Sequence, residues 1–234
     1  MQGRSSCPAN EGAVASARFS PQILLKLLIR PIAALDEIRE SARWVEAYIF
    51  TAACSFAAFV LTIPASKYYM ATMPAGDLKN STVGSAPIAF AAVAILSFIG
   101  PPITWIVEAA VLQIAVRIGR GETSLRRLYA LVANAGVPAS IGTLIVGIGV
   151  HAQDPAKFHS AIDLPLSIPI TLAALLHRTP QEALFFSSYG IFNVWTYVLV
   201  AIGLVRGAKI SPLVAALTML AISLGLALVR SQFS

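Results

Sequence analysis

Five apolar stretches dominate this chain, each close to the ~20 residues a helix needs to cross the hydrocarbon core of a bilayer. They cover 44–64, 86–107 with an apolar continuation to 117, 129–150, 183–205 and 212–229. Inside a bilayer no water satisfies the backbone, so the choice is helices or a closed barrel. The runs are continuous and not alternating, which selects helices. Of 234 residues, 57% are hydrophobic and 12% charged, against about 25% charged in soluble domains. The expected fold is an all-α polytopic membrane helix bundle with five transmembrane helices and an N-terminal interfacial amphipathic helix.

The net charge of +6 would suit nucleic acid, but its distribution points elsewhere. With the N-terminus cytoplasmic and five alternating crossings, the cytoplasmic side holds Arg4, Arg18, Lys26, Arg30, Arg39, Arg43, Arg117, Arg120, Arg126, Arg127, Arg206 and Lys209. Those are 12 of the 17 basic residues, and Lys67, Lys79, Lys157, Arg178 and Arg230 fall on the other side. This asymmetry follows the positive-inside rule and places the C-terminus outside. The basic balance therefore reads as topology, and no nucleic-acid partner is expected. The first span is expected to serve as its own uncleaved insertion signal, since no apolar segment follows a basic start in residues 1–20.

Residues 1–20 are small and polar and read as a disordered tail. Residues 21–43 read as an interfacial helical segment leading into a membrane domain over 44–234. Within it, Gln22, Lys26 and Arg30 recur every four residues beside a wide apolar face. That pattern suits either the membrane surface or packing on the bundle. Lys26 and Arg30, with Arg120, Arg126 and Arg127 of the second cytoplasmic loop, are the candidate lipid-surface residues. The lipid bilayer is the expected partner, with other membrane proteins or a second copy of the chain also possible.

Gly100, Pro101 and Pro102 are expected to kink or break the second span, because paired prolines remove backbone donors. Ala53 and Ala57 in the first span have small-xxx-small spacing, which permits close helix approach. Pro138 lies in the third span, where a membrane helix can absorb it. Residues 162–176 are apolar but short and proline-broken. They are read as interfacial or re-entrant, because a sixth crossing would move Arg206 and Lys209 outside.

Ionisable groups within a bilayer are functional candidates by default. Glu108 is the foremost, as a proton or cation site, as a partner of Arg117 or Arg206, or simply at headgroup depth. Asn134 and Asn193 lie within spans and can bridge helices, while Glu46, near a helix start, is read as interfacial. His151, Asp154 and His159 fit no metal-ligand spacing and read as solvated loop residues. Cys7 and Cys54 suggest neither a disulfide nor a metal site. No HExxH, P-loop, aspartate pair or serine–histidine apparatus is visible, so neither catalysis nor a cofactor is expected.

The order of short motifs resembles the Yip-domain family of small five-span membrane proteins. The likeness is carried by 27–31 (LLIRP) with 35–40 (LDEIRE), by 119–130 (GRGETSLRRLYA) leading to Pro138, by 192–195 (FNVW) with 201–204 (AIGL), and by the short hairpin before the last apolar helix. It spans roughly residues 25 to 229. Bacterial members often carry an acidic residue where this chain has Gly190. The resemblance implies a non-enzymatic protein of the bacterial inner membrane. Eukaryotic relatives act in vesicle trafficking and bind Rab-type GTPases, but the short N-terminal segment here holds no matching motif. Two readings follow: a membrane-organising or partner-recruiting scaffold, favoured, and a small transporter or channel subunit using Glu108 and the Gly100–Pro102 break.

Overall fold

A chain of continuous apolar runs can satisfy its backbone in lipid only by coiling each run on itself, and among the described residues the structure is all-helical. It is a computed structural model that describes residues 22–72, 86–158 and 180–231. Helices α1 (Gln22–Ile29) and α2 (Pro31–Ser41) form a collar ahead of α3 (Val45–Thr72) and α4 (Ala86–Ile118). Helices α5 (Leu125–Ala135) and α6 (Val137–His151) follow, then a single 3-10 turn (Pro155–Lys157). The chain closes with α7 (Pro180–Ser187), α8 (Ile191–Gly207) and α9 (Pro212–Ser231). Among the described residues, four stretches are long and apolar enough to cross a bilayer: Val45–Tyr69, Phe90–Ile118, Leu125–His151 and Pro212–Val229. Helix α8 is apolar but has 17 residues, so length alone does not establish a fifth crossing.

The collar folds onto the bundle. Pro31 at the first position of α2 needs no backbone partner for its missing N–H, and Ala42 ends the helix in the left-handed conformation with its N–H on the Ile38 carbonyl. Ile23 and Leu27 of α1, with Ala34, Leu35 and Ile38 of α2, are buried in the main core. They pack on α5 and α8. One face of α1 is thus a bundle contact. Leu25, Leu28, Ile29 and, in α2, Ile32 stay exposed.

Several boundaries differ from the sequence reading. Helix α3 runs past Pro64 to Thr72. Tertiary packing holds this extension, with Ala65 buried against Val150 and Phe158. Helix α4 is continuous through Gly100, Pro101 and Pro102, so the expected break is not there. Proline fixes a φ that is itself helical and removes only one bond per residue, and the flanking turns carry the helix on. The discontinuity falls instead in the fourth apolar stretch, where α7 and α8 are separated at 188–190 and Gly190 is extended. The third stretch also divides, at Gly136, leaving Pro138 in the first turn of α6.

The close helix approach involves another face than the one formed by Ala53 and Ala57. Ala53 is exposed, whereas Ala47, Thr51, Cys54 and Ala58 are buried. A Cβ at Gly147 would lie 2.7 Å from the Ala58 Cα, so α3 and α6 meet backbone to backbone. Small residues surround α3 on several sides, and spacing by itself does not say which side is used. At the collar end, Gly121 fits against the Ala208 carbonyl and Ile210, and the Glu122 N–H donates to the Ala208 carbonyl at 3.1 Å. The α4–α5 loop, the α8–α9 hairpin and the collar therefore share one end of the molecule. Residues 162–176 lie outside the described residues.

Candidate functional site

A half-open cavity of ≈390 Å³ is set among the helices, within the range typical of small-molecule sites. Its lining is unusually polar for a membrane domain. Helix α3 contributes Thr51 and Ser55, α6 Ser140 and Thr143, and α8 Asn193, Thr196 and Tyr197. Helix α4 contributes Gly100, Pro101, Thr104, Trp105 and Glu108. Apolar residues, among them Leu112, Val200, Met219 and Ile222, complete the wall. Helix α4 packs on α3 and α5, and α9 on α7 and α8. The cavity therefore occupies space flanked by α4 and α9, which pack little on one another.

Hydroxyl groups in an apolar bundle settle on helix carbonyls when nothing else is near. Thr104 donates to the Pro101 carbonyl at 2.9 Å, Thr143 to Ala139 at 3.1 Å and Thr196 to Phe192 at 3.1 Å. Each oxygen keeps its capacity to accept a bond. Ser140 Oγ donates to the Gly136 carbonyl at 3.1 Å and lies 2.9 Å from Thr51 Oγ1, linking α3 to α6. Asn193 Nδ2 reaches the Ser187 carbonyl at 3.4 Å, across the break between α7 and α8.

Glu108 and Asn193 thus come together with Gly100 and Pro101, while Asn134 stands apart. Asn134 is 1% exposed, and its Nδ2 donates to the Arg43 carbonyl at 2.6 Å and to the Ala130 carbonyl at 2.8 Å. It fastens the start of α3 to α5. Arg206, considered above as a partner of Glu108, is engaged by Asp36 through Nε–Oδ1 at 3.2 Å and Nη2–Oδ2 at 2.8 Å. Glu46, in the first turn of α3, is buried in the bundle. His151 Nδ1 lies 3.3 Å from the Leu61 carbonyl, and Asp154 caps the 3-10 turn through the Ala156 N–H at 3.0 Å. His159 is outside the described residues. Among the described residues no group of three or more His, Cys, Asp or Glu could hold a metal ion.

Sequence reasoning missed the hydroxyl set, although a signal was present. Thr51 and Ser55 are four apart, Ser140 and Thr143 three apart, Asn193 and Thr196 three apart, so each pair lies on one helix face. Also unforeseen was a ring of four aromatic side chains, one of which, Trp105, lines the cavity. Trp44 meets Tyr48 at 6.3 Å and Tyr129 at 5.4 Å, and Trp105 meets the same two at 6.4 and 6.0 Å, all edge to face. This packing joins α3, α4 and α5, so Trp44 is a bundle contact as well as a residue at a span's start.

At the collar end, Lys26 pairs with Glu37 at 2.9 Å, and Arg39 donates to the Arg206 carbonyl at 3.3 Å. The Lys26–Glu37 pair ties α1 to α2, while the Arg39 bond and the Arg206–Asp36 pair hold α2 on the end of α8. Ser124 caps α5 by accepting from the Arg127 N–H. Arg30, Arg120, Arg126 and Arg127 are exposed. Arg127 shares a shallow cleft with Arg39 and Arg206.

The Yip1 domain family profile matches residues 25–229. A stretch of 116 residues is 28% identical to a protein of Bacillus subtilis (strain 168) named "Membrane protein YknW", covering 49% of this chain and 42% of that protein. The match thus spans less than half of each. No solved structure matches the chain.

Proposed function

The chain belongs to the Yip1-domain family of membrane proteins, and from that premise we propose that it is a non-enzymatic five-span scaffold that organises the bilayer or recruits a partner through its collar. The observation that carries this reading is the double use of the collar. Ile23 and Leu27 anchor α1 to the bundle while Leu25, Leu28, Ile29 and Ile32 form an exposed apolar strip. An apolar strip beside exposed arginines matches a lipid interface with anionic headgroups. α8 serves as the fifth crossing, short for a span but anchored at the collar by Arg206. The N-terminus then lies in the cytoplasm, with the basic collar, the α4–α5 loop and the α8–α9 hairpin.

Lys26 is committed to Glu37, so Arg30 and the Arg120–Arg127 loop carry more of the attraction to lipid. In the full-length protein in anionic nanodiscs, an environment-sensitive fluorophore on Ile29→Cys should be quenched by brominated lipid. Arg30→Glu should reduce that quenching more than Lys26→Gln does. Quenching that is absent from the start would remove the lipid-facing role of the collar. A second reading, a small transporter or channel subunit, is favoured by the cavity that gathers Glu108, Asn193 and the Gly100–Pro101 turn.

A further inference from the structure

The cavity has a chemical character that narrows what it can take. Among the described residues, its lining includes one acidic group, Glu108, and no basic one. The same lining carries six aliphatic hydroxyls, among them those of Thr51, Thr104, Thr143 and Thr196, together with the Asn193 amide. Three of these hydroxyls already spend their protons on helix carbonyls, so what they offer a ligand is an acceptor. Trp105 and Tyr197 add aromatic surface to the same wall, and aromatic faces attract cations. A carboxyl group, acceptor oxygens and aromatic rings lining one half-open cavity select a positively charged donor.

We infer that this cavity binds a small organic cation through its ammonium group, with Glu108 as the countercharge and the threonine hydroxyls as acceptors. A volume of ≈390 Å³ is ample for an aminoalcohol-sized ligand, each water filling about 30 Å³ of liquid. A bare inorganic ion would leave most of that space to water. The same chemistry has two sources: a free amine, or the ethanolamine headgroup of a phospholipid entering beside α4. Glu108 already has an interaction within the protein, which the ligand would share or replace. The inference concerns occupancy of the cavity, so it stands whether or not the ligand crosses the bilayer, and it is independent of the collar.

The test uses the full chain in phosphatidylglycerol nanodiscs with ethylammonium as the probe. Binding by titration calorimetry should weaken by about tenfold or more in Glu108→Gln, as expected when a charged hydrogen bond is lost. Glu108→Asp should retain measurable binding. In the unaltered protein, ethylammonium should protect Glu108 from modification by dicyclohexylcarbodiimide, read by peptide mass, which does not depend on any variant folding. Replacing the lipid by phosphatidylethanolamine separates the sources. Protection without added amine identifies the headgroup as ligand, and protection by ethylammonium alone identifies a free solute. Failure of both to protect Glu108, or equal ethylammonium binding by Glu108→Gln, overturns the inference.

Discussion

Helix α4 and the α5–α6 pair are both apolar enough to cross a bilayer, yet they occupy opposite environments. Over the apolar window of α5–α6, 56% of residues are buried inside the protein, against 6% for α4. The difference shows that apolarity reports affinity for a non-aqueous medium and not which medium, since lipid tails and protein interior are alike in this respect. What distinguishes the two is small and polar residues. Helix α6 brings Gly142 against Phe192 and Gly147 against Ala58, and α5 contributes Asn134 to a buried bridge. Helix α4 presents Ile95, Leu96, Ile99, Ile103, Ile106 and Ile114 outward and turns only a narrow face, including Trp105, Ala109 and Leu112, inward.

The contrast can be broken most directly at Gly147. Gly147→Val places a branched side chain where the Ala58 backbone lies, and α3 and α6 must separate. We expect a loss of about 3 kcal/mol or more, the upper part of the overpacking range, read as a fall in the midpoint of denaturant unfolding in micelles. Next in size is a paired truncation on α4. Leu112→Ala, at a residue 1% exposed, should cost about 2–3 kcal/mol. Ile114→Ala, at a residue 61% exposed, should change stability by less than about 0.5 kcal/mol. Equal effects at both sites would show that α4 is covered on its outer face by protein.

A smaller effect is expected at the collar. Asp36→Ala removes the bidentate partner of Arg206, a pair whose side chains are 45% and 33% exposed. Its contribution should be at most about 1 kcal/mol, seen as faster hydrogen exchange in α2 with α5 and α6 unchanged. The smallest is Gly225→Ala, where an added Cβ meets nothing within 4 Å. It should be neutral or stabilise α9 by up to about 1 kcal/mol, the usual difference between glycine and alanine in a helix. A clear loss there would mean that the exposed side of α9 is an interface.

Much of the candidate site was legible in part. Glu108 and Asn193 stand out in any apolar run because burying them is expensive, and both line the cavity. Asn134 looks the same in sequence but is consumed by the Arg43 and Ala130 carbonyls. Only the position of the α3 entry relative to α5 distinguishes the two asparagines. The break was foreseen at Gly100–Pro102, where proline is a strong local signal, and lies instead at 188–190, beside Gly190. Proline tells where a donor is missing, but whether the helix continues depends on what its neighbours hold in place.

By itself the sequence determined the solvent of this protein, the helical nature of its spans, the grouping of its basic residues and its family. These follow from local quantities: run length, residue type and charge order along the chain. Tertiary structure decided which face of α3 meets α6, which side of α1 is buried, and which polar side chains converge on one cavity. Those outcomes depend on rotation of each helix about its axis and on pairings between distant segments, and neither is fixed by how apolar a run is.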